Sequence, residues 1–218
     1  MKNLNITFTL FFIAIFMNLN FAHAAGNPEV GEIAEVVELK ADAAKSKVNW
    51  TATKVGGEHT GTVKLANGIL KVEGNKLKGG SFDMDMTTIQ DTDITNASMN
   101  EKLTNHLRSE DFFSVEKNPT STFKITKAEP IANAKAGSPN YNITGDLTIK
   151  GITNPVSFPG TVKISGDMAE ASAKVEVNRI KWDIKYRSGL LGTAADKIIY
   201  DNFTIDFNIV AGKSVAAK

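Results

Sequence analysis

The stretch that decides the fold is Phe203-Thr204-Ile205-Asp206-Phe207-Asn208-Ile209, near the carboxyl end of the chain. Every odd-numbered position in it is large and apolar, and every even-numbered position is polar. Successive side chains of a β-strand point to opposite faces of the sheet. The alternation therefore predicts a strand with one face against a core and the other face in water.

The same alternation recurs along much of the chain and predicts an all-β fold. Turn-forming pairs such as Gly56-Gly57, Asn67-Gly68 and Gly166-Asp167 separate the alternating segments, which favours hairpins between antiparallel strands. About eight such strands close into a barrel whose interior holds either packed side chains or one small ligand. The other alternating sets are Val48/Trp50/Ala52, Phe82/Met84/Met86, Phe123/Ile125, Tyr141/Ile143/Leu147/Ile149, Ala173/Val175/Val177 and Ile180/Trp182/Ile184.

One segment departs from this pattern and predicts a helix of two to three turns. Ser98-Met99-Asn100-Glu101 has the form of a capping box, with Ser98 as the N-cap residue. We expect the helix to pack against the barrel wall, and the alternative is that it covers one barrel opening as a lid. Its expected apolar residues, with two that follow it, are Met99, Leu103, Leu107, Phe112 and Phe113.

The amino terminus predicts an exported protein. Lys2 precedes an apolar run over residues 6–21, and Ala22-His23-Ala24 has the small residues that precede a signal-peptidase cut. We therefore expect residues 1–24 to be a cleaved signal peptide and the mature protein to be periplasmic. A retained membrane anchor at this end is the alternative, and no other segment predicts a transmembrane helix.

The remaining residues predict one domain. Residues 25–36 are expected to form an exposed leader, residues 37–210 a single barrel, and residues 211–218 a flexible tail.

Composition excludes several classes of function. The 218 residues contain no cysteine, which rules out disulfides, thiolate metal sites and cysteine nucleophiles. The 25 basic and 24 acidic residues give a net charge of +1, so the chain has no overall field that would attract nucleic acid. We expect no nucleic-acid partner, and a homodimer stays an open possibility.

The chain lacks the usual signs of catalysis or metal binding. After signal-peptide cleavage only His59 and His106 remain, too few for a three-histidine zinc site, although a carboxylate could complete a two-histidine one. No Gly-x-Ser-x-Gly elbow, dinucleotide fingerprint or phosphate loop is present. We expect no catalytic residues and no metal, and hence no enzyme.

Beyond their periodicity, several stretches share their residues with one known family. They are residues 46–50 (SKVNW) leading to 59–63 (HTGTV), 106–113 (HLRSEDFF), 118–123 (NPTSTF), 145–156 (GDLTIKGITNPV) and 179–186 (RIKWDIKY). They follow one another in the expected order over nearly all of the expected mature chain. In these stretches the chain resembles the YceI-like family of secreted lipid- and polyisoprenoid-binding proteins.

This resemblance implies an extended, lipocalin-like, eight-stranded antiparallel β-barrel with a helix alongside. It implies a periplasmic binding or carrier protein that holds a long-chain isoprenoid or similar amphiphile and does no catalysis. No cofactor is implied beyond such a non-covalently bound isoprenoid, quinone or fatty-chain ligand. Trp50 departs from the phenylalanine common in the family, which affects the pocket lining and not the fold. The alternatives are a structural or partner-binding envelope protein with a solid core, or a lipid-acting enzyme.

The inward-facing apolar residues are the candidate ligand site, unless they fill a solid core. Methionine is well suited to such a site because its flexible thioether adapts to irregular ligands. Arg179 is the candidate for a polar head group, because a guanidinium can hold a phosphate or carboxylate through two hydrogen bonds. Lys54, His59 and Lys181 are further head-group candidates. The apolar candidates are Trp50, Phe82, Met84, Met86, Phe123, Ile125, Leu147, Ile149, Val175, Trp182 and Phe207.

Overall fold

Nine β-strands, one α-helix and three short 3₁₀ helices form the part of the protein that the computed structural model describes, residues 35–213. The expected signal peptide, nearly all of the leader and the last five residues of the tail lie outside the described residues. The elements are β1 (Val36–Ala41), β2 (Lys47–Lys54), β3 (Gly57–Glu73), β4 (Lys76–Asp91), α1 (Ala97–Arg108), β5 (Thr120–Pro130), β6 (Tyr141–Ile149), β7 (Ile152–Ser165), β8 (Met168–Asn178) and β9 (Ile199–Gly212), with 3₁₀ helices at Arg179–Trp182, Gly189–Leu191 and Ala195–Lys197.

The strands form one antiparallel sheet that closes into a barrel. Each strand from β4 to β9 pairs with the next, β9 pairs with β2, β2 with β3, and β3 with β4, which joins the two ends. β1 and β2 both lie between β3 and β9, and β1 pairs with the later residues of β3. The two short strands therefore occupy one strand position in succession. The eight-stranded antiparallel barrel expected from the sequence is confirmed.

The strand register brings the apolar positions of neighbouring strands together. Ile205 of β9 is opposite both Trp50 of β2 and Val175 of β8. On another part of the wall, Phe123 of β5 is opposite Phe82 of β4 and Leu147 of β6. Because residues in register share a face, the alternation in each strand adds up to a continuous apolar inner surface.

The pairing of β3 with β4 is interrupted by three register shifts, at Thr62/Lys64, Leu65/Asn67 and Lys71/Val72. Such bulges bend a strand and increase its twist. The two longest strands of the barrel are thereby able to curve around it. Each shift also changes which face a residue points to, so alternation is a poor guide to the inner face along these strands.

The predicted helix is confirmed, but its start is different. Asn96 is the N-cap, and its side chain accepts a hydrogen bond from the backbone N–H of Met99 at 3.0 Å. Ser98 therefore lies inside the first turn, and the predicted capping box is wrong. Met99 points outward and is 64% exposed, whereas Thr104 and Leu107 are the buried residues of the helix.

The segment that follows β8 is not the strand that Ile180/Trp182/Ile184 predicted. It forms the 3₁₀ helix Arg179–Trp182, and Asp183 ends it with a positive φ of 59°. Trp182 and Ile184 are nevertheless both buried, because the tight turn at Asp183 directs them both into the protein. The alternation arose from the turn and not from an extended backbone.

Candidate functional site

The interior of the barrel contains a cavity of about 180 Å³. A single water molecule needs a cavity volume of only about 10–15 Å³, so this cavity is large enough for several heavy atoms of a ligand. Its lining is almost entirely apolar, and Asn49, Ser121 and Arg179 are the main exceptions. Side chains from β2 to β9 contribute to it, as do Leu107 of α1 and residues in the segments after α1 and after β8.

Several inward-facing residues are only partly buried, which shows that the core is not solid. Trp50, Met84, Phe123 and Phe207 all line the cavity, yet each retains accessible surface. In a solid core, side chains at such central strand positions would be fully enclosed by protein atoms. The barrel thus has a core of buried side chains that do not reach the cavity, such as Leu39 and Val72, and an inner surface that stays open.

Ten of the eleven apolar candidates from the sequence line this cavity. Trp182 does not: it is 1% exposed, and its Nε1–H donates a hydrogen bond to the carbonyl oxygen of Leu147 at 3.0 Å. Its indole is part of the barrel wall. The ten that do line the cavity, and whose contact with a ligand stays a prediction, are Trp50, Phe82, Met84, Met86, Phe123, Ile125, Leu147, Ile149, Val175 and Phe207.

Arg179 lines the cavity but is engaged by the protein itself. Its guanidinium donates to the carbonyl oxygens of Tyr200 (3.2 Å), Ile184 (2.8 Å), Tyr186 (3.0 Å) and Ile199 (2.9 Å), and to Asp201 Oδ1 (3.2 Å). Those five bonds use all five N–H donors that a guanidinium has. Burial lowers the pKa of Arg179, and the charge of Asp201 opposes that shift. The geometry therefore does not fit the head-group role predicted for Arg179.

The other head-group candidates lie away from the cavity. Lys54, His59 and Lys181 are not among its lining residues in the described part of the chain. The backbone carbonyl of Lys181 accepts a hydrogen bond from Asn154 Nδ2 at 2.9 Å. No lysine of residues 35–213 contributes to the cavity, so its lining contains no ammonium group.

Trp50 contributes to the lining a buried polar group that is without a partner in the described part of the chain. Its Nε1 is buried and has no hydrogen-bond partner within the described residues. The ring lies against Gly61, where a Cβ atom would be 2.4 Å from Trp50 Cζ2. A glycine at this position of β3 is what gives the indole its place on the inner wall.

The helix end of the barrel also contributes to the lining. Leu107, Phe112 and Phe113 line the cavity, which places α1 and the turn after it beside the cavity as well as against β4. The imidazole of His106 meets the rings of Phe112 and Tyr186 edge-on, at centroid distances of 4.9 and 4.6 Å. His106 Nε2 is 2.9 Å from Asp111 Oδ2, an ordinary polar partner near the surface.

The candidates from the sequence were incomplete. Those on regular strands continue the alternation already recognised and could have been found from it, namely Val48, Ala52, Ile143, Val177, Phe203, Ile205 and Ile209. Others lie around the bulges of β3 and β4, or on segments whose contribution depends on the tertiary fold, and no local pattern identifies them. They include Val63, Leu70, Leu77, Ile89, Ile199 and Tyr200, whereas Val156, Phe158 and Ala171 continue the alternation of their strands and Ile184 belongs to an alternating set already named.

Within residues 35–213, no helix has both the length and the apolar character needed to cross a bilayer.

Curated relatives match part of the chain. A UPF0312 protein of Pseudomonas aeruginosa is 38% identical over 91 residues, which are 41% of this chain and 43% of that protein. The protein YceI of Escherichia coli is 33% identical over 118 residues, 49% of this chain and 57% of that protein. The chain thus spans about half the length of these relatives.

Solved structures share the fold. BcnA of Burkholderia cenocepacia has a TM-score of 0.54 at 22% identity, covering 78% of this chain and 99% of BcnA. A polyisoprenoid binding domain from Saccharophagus degradans, implicated in plant cell wall breakdown, has a TM-score of 0.56 at 12% identity, covering 83% and 100%. The YceI-like domain model matches residues 39–211, most of the barrel, and this chain therefore belongs to the YceI-like family.

Proposed function

We propose that this protein binds one long-chain isoprenoid or similar amphiphile inside its barrel, without catalysis, and acts in the periplasm as its carrier or reservoir. The observation that carries the proposal is the apolar cavity of about 180 Å³ within the barrel. Membership of the YceI-like family supports it, as does a structural neighbour that is described as a polyisoprenoid binding domain.

An apolar tail alone supplies enough free energy for binding. Each methylene group removed from water contributes about 0.8 kcal/mol, so a tail of roughly ten such groups contributes on the order of 8 kcal/mol before ordering costs are subtracted. Such binding requires a lining that is extensive, adaptable in shape and apolar, and the lining of this cavity has these three properties. Selectivity for tail length then depends on how much of the chain the barrel encloses.

A long tail also requires the lining to move. An apolar cavity of roughly 150 Å³ accommodates benzene in another protein, so the cavity of this barrel, at about 180 Å³, encloses only part of a long chain as it stands. Met84 and Met86 lie side by side in β4 at the cavity, and methionine has three rotatable bonds and fills irregular space readily. We infer that rotation of such side chains extends the cavity as the tail enters.

The lining also favours a ligand with an oxygen atom. An unpaired buried N–H is costly, and the indole N–H of Trp50 has no partner within the described residues. If the ring turns so that this buried N–H reaches the cavity, a carbonyl, amide or hydroxyl oxygen on the ligand accepts its hydrogen bond. This favours a quinone, isoprenoid alcohol or fatty amide over a plain hydrocarbon.

The sequence of the amino terminus supports the proposed location. The apolar run over residues 6–21 and the small residues after it have the pattern of an export signal. A carrier in the periplasm would shield an oily tail from water between two membranes. The expected release of residues 1–24 on export is checked by amino-terminal sequencing of protein recovered from the periplasm.

Native mass spectrometry of the purified protein tests the binding role directly. We expect a mass above that of the protein alone, and solvent extraction should release an amphiphile that accounts for the difference. Folded protein that repeatedly carries nothing and takes up no fluorescent lipid probe would contradict the proposal. That outcome would favour the alternative of a structural or partner-binding envelope protein.

A pair of tryptophan substitutions separates cavity filling from general damage. Met84→Trp adds an indole inside the cavity, and we expect it to abolish uptake of the probe. Lys174→Trp adds the same group at an exposed position of β8 and should leave uptake unchanged. Circular dichroism establishes that both variants fold. Equal uptake by both variants would mean that the ligand binds elsewhere.

A further inference from the structure

A histidine and two aspartates meet outside the cavity, where β3 and β4 run beside the start of α1. His59 belongs to β3, Asp91 is the last residue of β4, and Asp93 follows it in the connection to the helix. Nδ1 of His59 is 3.1 Å from Asp93 Oδ2 and 3.8 Å from Asp91 Oδ2. One ligand-type atom from each of the three residues lies within 4.8 Å of the other two.

Asp91 supplies the observation that points to a ligand. Its side chain is 0% exposed, and Oδ2 has no hydrogen-bond partner within residues 35–213. An unpartnered carboxylate oxygen in a dry environment is energetically costly, and native structures rarely contain one without a reason. A positive charge between the three groups would give Asp91 Oδ2 the partner that it lacks.

The remaining oxygen of each carboxylate is anchored by the protein. Asp91 Oδ1 accepts hydrogen bonds from the Ile94 N–H at 2.8 Å and from Asn100 Nδ2 at 3.1 Å. Asp93 Oδ1 accepts one from the Thr60 N–H at 2.7 Å. In metal sites, hydrogen bonds of this kind from groups that do not themselves touch the metal orient the ligands and are important for metal affinity. Each aspartate therefore has one oxygen held by the protein and one directed at His59.

The two separations from His59 Nδ1 are close to those around a tetrahedral metal ion. Zn²⁺ binds imidazole nitrogen and carboxylate oxygen at roughly 2.0–2.2 Å, which places neighbouring ligand atoms about 3.4 Å apart. The distances of 3.1 and 3.8 Å from His59 Nδ1 lie on either side of that value. We propose that His59 Nδ1, Asp91 Oδ2 and Asp93 Oδ2 bind one divalent transition-metal ion, for which Zn²⁺ has the best-matched ligand preference.

The fourth position of this ion would hold water. The side chains of His59 and Asp93 are 28% and 36% exposed, so one side of the cluster is open to solvent and gives the ion a path of entry. The three residues do not line the cavity, and the proposal is therefore independent of lipid binding. A bound ion would tie β3 to the connection between β4 and α1.

This proposal departs from the absence of a metal expected from the sequence. The expectation counted histidines and found too few. The antiparallel pairing of β3 with β4 instead brings His59 to carboxylates more than thirty residues away, and Asp93 Oδ2 is 34 residues from its histidine partner. A one-histidine, two-carboxylate set has no local spacing that would identify it.

Calorimetric titration of the full-length, untagged and metal-free protein with ZnCl₂ tests the proposal. We expect saturable binding of one ion per chain. Asp93→Asn keeps the side-chain shape but removes the charge, and it should weaken binding by at least about tenfold. His59→Ala removes a ligand from a different strand and should do the same. Co²⁺ provides a second readout, since a tetrahedral site gives it a characteristic visible absorption.

His106→Ala is the matched control, because His106 also pairs with a single aspartate, at 2.9 Å. It should leave Zn²⁺ binding unchanged. The proposal is overturned if the parent protein shows no saturable binding, or if His106→Ala weakens binding while the two cluster variants do not. Circular dichroism identifies any variant that fails to fold, and the other cluster variant then decides the question.

Discussion

Arg179 donates a hydrogen bond to Asp201 at 3.2 Å across the start of β9, and both side chains are mostly shielded from solvent. The same guanidinium holds four backbone carbonyl oxygens, from Ile184 to Tyr200. Ser188 Oγ donates to the other oxygen of Asp201 at 3.1 Å. The pair thus ties the segment after β8 to the first residues of β9.

Replacing Arg179 by methionine should destabilise the protein strongly. The change leaves Asp201 and several carbonyl oxygens without their donor, and removal of one partner of a buried charge pair costs about 3–5 kcal/mol. Urea unfolding measures the loss. Arg187→Met is the control, because Arg187 is exposed and lies over the ring of Tyr186, so we expect a cost within about 1 kcal/mol. Unchanged stability with lost ligand binding would instead restore the head-group role of Arg179.

The two tryptophans should respond differently to phenylalanine. Trp182→Phe loses the hydrogen bond to Leu147 and leaves space in a fully packed wall, at a cost of about 1–3 kcal/mol. Trp50→Phe removes a buried indole N–H that has no partner in the described chain, from a ring that lines an open cavity, so its cost should be at least about 1 kcal/mol smaller. Equilibrium unfolding of the two variants side by side makes the comparison. Equal costs would mean that the Trp50 N–H is satisfied in solution.

Trp50→Phe should also change ligand preference. If the ligand's oxygen accepts the indole hydrogen bond, the variant binds a long-chain alcohol or amide more weakly, while its affinity for a probe without an acceptor stays close to that of the parent. A single hydrogen bond of this kind contributes about 0.5–1.5 kcal/mol, or roughly two- to tenfold in affinity. Competition against a fluorescent lipid measures both affinities. Parallel weakening for both probes would show that only the shape of the indole matters.

Gly145→Ala should destabilise the barrel through backbone and ring together. An added Cβ would be 2.5 Å from the ring of Phe123 and 2.6 Å from the carbonyl oxygen of Lys124. Overpacking of this kind costs about 1–3 kcal/mol. Gly79→Ala, in β4, is the control because a Cβ at Gly79 meets nothing within 4 Å. Thermal unfolding should separate the two variants, and a neutral Gly145→Ala would mean that the wall adjusts more easily than the geometry indicates.

The helix start can be checked in the same way. Asn96→Ala removes the side chain that caps α1 and should cost about 0.5–2 kcal/mol. Ser98→Ala should cost much less, because Ser98 lies inside the first turn and has no capping role in the structure. Urea unfolding compares them. The opposite order would restore the capping box that the sequence indicates.

Sequence patterns predicted elements best where a rule is local. Alternation identified β9 and most other strands, since each strand position depends only on its neighbours in the chain. The same rule failed at residues 180–184, where a 3₁₀ helix and the turn at Asp183 imitate alternation with two buried side chains. At α1 the spacing identified the helix but not its cap, because both Asn96 and Ser98 are good N-cap residues.

The candidate site was predictable in kind and only partly in detail. Inward positions on regular strands could be assigned because a period of two separates the two faces. Trp182 has the same apolar character as Trp50, yet only Trp50 lines the cavity. That difference arises from the turn at Asp183 and the hydrogen bond to Leu147, and neither can be recognised from the neighbouring residues in the sequence.

By itself, the sequence determined that this chain is a barrel whose strands alternate apolar and polar side chains and whose inner face is apolar. The reason is that successive side chains of an extended backbone point to opposite faces. Only the tertiary structure decided that this inner face encloses a cavity and that the guanidinium N–H groups of Arg179 are occupied by hydrogen bonds within the protein. It also decided that His59 lies beside Asp91 and Asp93. The cavity depends on closure of the sheet, the Arg179 hydrogen bonds depend on how the segment after β8 folds beside the start of β9, and the cluster depends on the pairing of β3 with β4. Volume, hydrogen-bond saturation and charge clustering are properties of that arrangement, and no residue has them alone.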